Sequence, residues 1–241
     1  MTVRHDTITY QADGLNMVSH FYCDDALSGP RPGILVFPEA FGLGDHAKAR
    51  AKQLAGLGYA ALACDLHGDG KIIPALPDVM PIIHALRDNP LLIRARAQGG
   101  FDALTARPEV DKAKIAAIGY CFGGTMALEL ARGGAPLAGV VGFHSGLATT
   151  RPEEAKNIRA KILVCIGADD PGVPLEQRTA FEQEMRAGGV DWRMHVYGKV
   201  VHSFTNREAA SLGMPDFARY DAGADNRSWH EMIALFDEVF A

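Results

Sequence analysis

No stretch of this sequence approaches the roughly 18 consecutive apolar residues that a membrane-crossing helix needs. Its opening, MTVRHDTITYQADG, lacks the apolar core of a secretory signal. Cysteine is scarce: the four, at positions 23, 64, 121 and 165, include no C-x-x-C pair, which argues against structural zinc or dithiol redox chemistry. A basic stripe is missing too. With 24 Lys and Arg against 29 Asp and Glu, the formal charge is −5, and nothing in its distribution would draw the chain to nucleic acid or an anionic membrane. Repeats, low-complexity tracts and a clear domain boundary are likewise absent from the 241 residues. What remains is the expectation of one cytoplasmic domain, monomeric, with no cofactor or metal, whose 48% apolar residues suffice for a core without disulfides.

What is present is an alternation of strand-like and helix-like runs. TITYQ and NMVSHFYC read as a leading antiparallel pair. PGILVFPE, YAALACDL, KIAAIGY, LAGVVGFHS, KILVCIGA and WRMHVYG read as strands, several so continuously apolar that both faces must be covered. Between them lie helical patterns: DHAKARAKQLAGLG with Asp45 as N-cap, NPLLIRARAQGGFDALTA, FGGTMALELARGG and PLEQRTAFEQEMRAGG. A last helix, SWHEMIALFDEVF, has Ser228 and Glu231 at capping-box spacing and an apolar face of Trp229, Met232, Ile233, Phe236 and Phe240. This order predicts an α/β fold with a mostly parallel sheet and helices on both faces. Two segments read as long loops, 66–88 and 205–227. In a parallel sheet such loops stand near the carboxyl ends of the strands, where ligands bind. Cys64 and Cys165 fall in strand-like runs and read as small core residues.

The most informative run is AAIGYCFGGTMALELA, residues 116–131. Gly119-Tyr120-Cys121-Phe122-Gly123 has the spacing of the G-x-S-x-G nucleophile elbow, with cysteine at the serine position. The chemistry needs small flanking residues, because a sharp strand-to-helix turn brings backbones together there. It also places the nucleophile at a helix N-terminus, where free N–H groups favour a thiolate and an oxyanion. A thiol nucleophile needs a base, and in this architecture an acid and then a histidine follow it in the chain. GADDPGVP closes one strand and VHSF follows another, so Cys121, Asp170 and His202 fit the order. Asp169 is an alternative to Asp170. His144 ends a strand that precedes the acid and reads as structural or pocket-lining, and His67, which opens the first long segment, is a candidate to line the pocket. The oxyanion hole is expected from the N–H groups of Phe122 and Ala40. Glu39, directly after ILVFP, has two readings: a carboxylate acting on the thiol or its histidine, or a capping or salt-bridging acid.

Taken together, FPEAFGL, GYCFGG, GADDPGVP and VHSF, in this order, resemble the dienelactone hydrolase family of α/β-hydrolases over residues 7 to 240. The resemblance implies a cysteine hydrolase with Cys121, Asp170 and His202 as its triad, a Glu39 that helps generate the thiolate, and Phe122 and Ala40 as oxyanion donors. It also implies arginines that hold an anionic substrate. Here Asn206 occupies the position of one of them, with Arg207 next to it, and Arg87 is the only arginine in 66–88. Ile72, Ile73, Leu76, Val79, Met80, Ile82 and Ile83 point to a more apolar wall, or to simple packing onto the core.

The expected activity is hydrolysis of activated esters or lactones through a covalent thioester, on a small-molecule substrate. Attack on phosphotriesters by the same cysteine is the alternative chemistry. An α/β-hydrolase scaffold that only binds a ligand would be a different class, as would a thiol redox protein. The complete triad weighs against the first, and the absence of a nearby second cysteine against the other.

Overall fold

The computed structural model describes residues 2–241. The chain begins with β1 (Val3–Ala12), β2 (Leu15–Asp24), β3 (Arg31–Phe37), α1 (Asp45–Gly56), β4 (Ala60–Ala63), α2 (Leu76–Asp88) and α3 (Pro90–Thr105). It continues with β5 (Val110–Tyr120), α4 (Phe122–Arg132), β6 (Gly139–Phe143), β7 (Lys161–Gly167), α5 (Leu175–Gly188), β8 (Trp192–Tyr197) and α6 (Ala222–Phe240). The eight strands form one sheet in the order β1-β2-β4-β3-β5-β6-β7-β8. The leading hairpin pairs antiparallel, with itself and with β4, and every pairing from β4 through β8 is parallel.

The continuous apolar runs are explained by two cores. In β3, Leu35 and Phe37 face one side with α3, α4 and α5, while Ile34 and Val36 face the other with α1 and α6. Because strand side chains alternate, a strand covered on both faces must be apolar at every position. The parallel arrangement has a second effect: β3, β5, β6, β7 and β8 all release the chain at the same edge of the sheet. Glu39, Cys121, His144, Asp170 and His202, scattered through the sequence, each follow one of these strand ends by one to five residues.

Several local expectations need correction. Residues 66–88 are not one long loop: α2 occupies Leu76–Asp88 despite two prolines within it. Pro77 sits in the first turn, where no N–H bond is lost, and Pro81 removes only the bond to Pro77. The buried Val79, Ile83 and Leu86, on one face, outweigh that loss. Residues 205–227 contain a 3₁₀ turn at Ala209–Leu212 and the first turns of α6. That helix starts six residues earlier than Ser228, because Asp221 accepts a hydrogen bond from Ala224 N–H at 2.8 Å and caps it. Ser228 lies within the helix and donates to the Asp225 carbonyl. Asp45 stands in the first turn of α1 rather than at its cap, which is Gly44. Among the described residues, no helix is long and apolar enough to cross a membrane.

Candidate active site

The turn between β5 and α4 holds Cys121 at φ 55° and ψ −118°, a conformation unfavourable for a side chain with a Cβ. The flanking glycines explain how such a turn closes. A Cβ on Gly119 would lie 2.1 Å from the Gly123 carbonyl carbon, and one on Gly123 would lie 2.3 Å from the Phe37 oxygen. The Cys121 N–H is shared between the Phe143 carbonyl, at 3.0 Å, and His144 Nδ1, at 3.2 Å. His144 is fully buried, and burial keeps its ring well below the ordinary imidazole range. With Nδ1 accepting, its Nε2–H donates to Thr205 Oγ1 at 2.8 Å. His144 therefore braces the elbow from below.

His202 follows β8 and lies with Nδ1 2.8 Å from Asp170 Oδ2, leaving Nε2 to face the thiol. Asp170 is buried, and its other oxygen accepts the Gly172 N–H at 2.8 Å. Asp169 is exposed and takes no part in this arrangement. Burial opposes charge on His202, but Cys121 and Asp170 outweigh it and push the imidazole up to about 10. Burial likewise opposes the thiolate and Glu39 repels it. His202 and the Ala40 N–H overcome both and bring the Cys121 thiol below its usual range. The segment after His202 folds back over it: the His202 N–H donates to the Phe217 carbonyl at 3.0 Å, and the Phe217 ring stands 5.2 Å away.

The loop after β3 carries Glu39 and Ala40 to the thiol. His67 does not line the cavity; it is buried, and its Nε2 hydrogen-bonds the Ala40 carbonyl at 2.8 Å, fixing that peptide. The Phe122 N–H begins α4 and has no partner within the helix. Glu39 hydrogen-bonds neither the thiol nor His202: its Oε1 accepts from His46 Nδ1 at 2.6 Å and from Asn206 Nδ2 at 3.1 Å. Burial alone would raise this carboxyl, but those partners hold it below the ordinary carboxylate range. His46 escaped the sequence reading, although it lies four residues before Arg50 on one face of α1, which is a spacing for paired side chains.

A cavity of ≈ 220 Å³ contains Cys121, His202, Glu39 and Ala40. Leu76, Met80 and Ile83 of α2 form one wall, and Leu212, Met214 and Phe217 another. Arg87 lies at its edge, 5.9 Å from the Phe122 ring. Arg207 instead lies over Tyr220, away from this cavity. Among the described residues, no group of three or more His, Cys, Asp or Glu side chains is arranged to hold a metal ion.

The sequence profile of the Dienelactone hydrolase family matches residues 20–240. The chain belongs to that family. A solved dienelactone hydrolase-like promiscuous phosphotriesterase, P91, from metagenomic libraries is 47% identical over 98% of both chains, with a TM-score of 0.94. A Methylorubrum extorquens protein bearing the name "putative carboxymethylenebutenolidase" is 30% identical, matching 74% of this chain and 65% of its own length. A dienelactone hydrolase-named structure from Klebsiella pneumoniae, at 21% identity, covers 98% of this chain and 99% of its own with a TM-score of 0.85, a likeness of fold alone. As a member of the dienelactone hydrolase family, the protein is a hydrolase of ester or lactone bonds with the α/β-hydrolase fold.

Proposed function

We propose that this hydrolase cleaves activated esters or lactones through a thioester on Cys121. The observation that carries this reading is the elbow geometry: a thiol at positive φ, between the ring of His202 and the N–H of Ala40. In the proposed cycle the Cys121 thiolate attacks the substrate carbonyl. The N–H groups of Phe122 and Ala40 take the resulting oxyanion. His202, oriented by Asp170, gives a proton to the leaving alkoxide as the C–O bond breaks, then takes one from the water that hydrolyses the thioester. Glu39, once its carboxylate is free of His46 and Asn206, assists formation of the thiolate by taking the Sγ proton, which also removes the charge that otherwise opposes ionisation. A soft thiolate is itself a good leaving group, so the scheme suits enol and aryl esters, whose oxygen departs at least as readily.

The apolar walls from α2 and the 212–217 segment fit a compact, largely apolar substrate, and Arg87 at the rim is the cation placed to meet an anionic tail. Phosphotriesters form a second substrate class. That reading rests on 47% identity over 98% of the chain to a protein described as a promiscuous phosphotriesterase. Here Cys121 would attack phosphorus and displace the aryloxide, leaving a phosphoryl-cysteine for water to cleave.

The test is stopped-flow hydrolysis of p-nitrophenyl acetate, a lactone and paraoxon by the wild type, Cys121→Ala and His202→Ala. The wild type should turn over ester or lactone, and each variant should lose activity by at least ~10³-fold. Full turnover by either variant removes the triad assignment. No burst and no turnover by the wild type on any of the three removes the catalytic reading.

A further inference from the structure

Glu39 shares the cavity with the thiol, but its hydrogen bonds go elsewhere. Its Oε1 accepts from two donors on different parts of the chain, His46 in the first turn of α1 and Asn206 in the segment after His202. His46 is itself held on three sides. Arg50 Nε donates to its Nε2 at 3.3 Å, which assigns the Nδ1 hydrogen to Glu39. The Tyr120 ring stands edge-on to it at 4.5 Å, limiting rotation. Arg50 is anchored in turn: it ion-pairs with Asp225 of α6, donates to the Thr205 carbonyl at 2.9 Å and lies 5.3 Å over the Trp229 ring. Tyr220 Oη donates to the second oxygen of Asp225 at 3.2 Å. The side chains of Glu39, His46, Arg50 and Asp225 are only 11–13% exposed. Water therefore screens this chain of contacts weakly, and each link counts for more than a surface pair would.

The charge at the end of this chain is not neutral toward catalysis. Glu39, Cys121 and His202 line the same cavity; there the Glu39 carboxylate opposes ionisation of the thiol, and His202 favours it. Glu39 meets His46 from α1 and Asn206 from the segment after His202; Arg50 and Asp225 stand behind His46, Tyr120 and Cys121 of the elbow lie alongside, and His202 and His144 lie beyond the thiol. We propose that His46, braced by Arg50 and Asp225, is a positioning residue that acts with Asn206 to hold the Glu39 carboxylate ionised and fixed beside Cys121 Sγ, and so sets the pH at which the thiol becomes nucleophilic. The proposal rests on the reading of Cys121 as the nucleophile. Once released from His46, the buried carboxyl either loses its charge or takes the proton from Sγ directly. Either route leaves a thiolate with less opposing charge.

The test is the pH dependence of Cys121 alkylation by iodoacetamide, followed on the Cys121 peptide by mass spectrometry. The other three cysteines are buried. His46→Phe keeps a ring against Tyr120 and removes the donor. It should move the alkylation midpoint down by about one pH unit, the scale of one nearby charge. His46→Gln, which retains an N–H donor, should return it toward wild type, and Asn206→Ala should move it down by less. In a Glu39→Gln background, His46→Phe should add nothing. An unmoved midpoint in His46→Phe overturns the proposal, and so does an equal shift in the Glu39→Gln background. If His46→Phe does not fold by circular dichroism, Asn206→Ala with and without Glu39→Gln decides the question in the same way. Retained ester turnover by Cys121→Ala would instead overturn the nucleophile assignment on which the proposal rests.

Discussion

His202 Nδ1 lies 2.8 Å from Asp170 Oδ2, whereas the adjacent Asp169 is exposed on the far side of the same turn. Two neighbouring residues with the same side chain thus stand in opposite environments, because the turn after β7 points successive side chains apart. The Gly172 N–H holds Asp170 Oδ1 at 2.8 Å while the second oxygen meets the imidazole. Asp170→Asn should lower kcat/KM for p-nitrophenyl acetate by about 10²- to 10⁴-fold, since the amide favours the wrong imidazole tautomer. Asp169→Asn should change it by less than about two-fold. The reverse ranking in steady-state kinetics would reassign the acid.

Cys121 and His202 should leave a mark on pH behaviour. His202 is pushed up to about 10, chiefly by the thiolate and Asp170 against the opposing effect of burial. A raised histidine pKa contributes stability that is complete below its ordinary value near 6.5 and is lost as pH rises through about 10. The stability difference between wild type and His202→Ala in urea unfolding should therefore shrink as pH increases from neutrality toward 10. Turnover should fall over the same alkaline range, because the His202 imidazolium, the proposed acid for the leaving group, disappears. In Cys121→Ala the largest upward influence on His202 is gone, and its ring should titrate lower by NMR. A His202 titration unchanged in that variant would count against the ion pair.

Gly123 tests the elbow itself. A Cβ there would lie 2.3 Å from the Phe37 oxygen and 2.5 Å from the Pro38 oxygen, both backbone atoms of the loop that carries Glu39 and Ala40. Gly123→Ala should destabilise the protein by roughly 3 kcal/mol. It should also depress activity in whatever fraction remains folded, because that loop must shift. Gly198→Ala, where no atom lies within 4 Å, should change stability by less than about 0.5 kcal/mol. Urea unfolding of the two variants side by side gives the comparison, and equal stabilities would refute the packing argument.

Much of this protein is legible from residue pattern alone. Continuous apolar runs such as ILVF demand strands buried on both faces, and their alternation with helical periodicity demands a parallel sheet. Parallel strands share one carboxyl edge, so the residues that follow them, Glu39, Cys121, Asp170 and His202, are brought together without knowledge of any contact. The glycines around Cys121 announce a tight turn because nothing larger fits. Local signals were less reliable where tertiary burial intervened. The prolines of 74–81 concealed α2, whose stability comes from Val79, Ile83 and Leu86 packing on the core, and Ser228 looked like a cap until Asp221 supplied an earlier one.

Only the tertiary structure decided which partners the polar groups take. Asp170 rather than Asp169 faces His202, His144 braces the elbow, His67 holds the Ala40 peptide, and Glu39 is paired with His46 and Asn206. The reason is physical. Burial of apolar side chains is non-directional and leaves a periodic trace in the sequence. A hydrogen bond depends on a few tenths of an ångström and on angles, between residues whose separation along the chain carries no period. The sequence therefore determined the fold and the place of the site at the strand ends. The set of contacts around the thiol was determined by how α1, α6 and the 205–221 segment close over it.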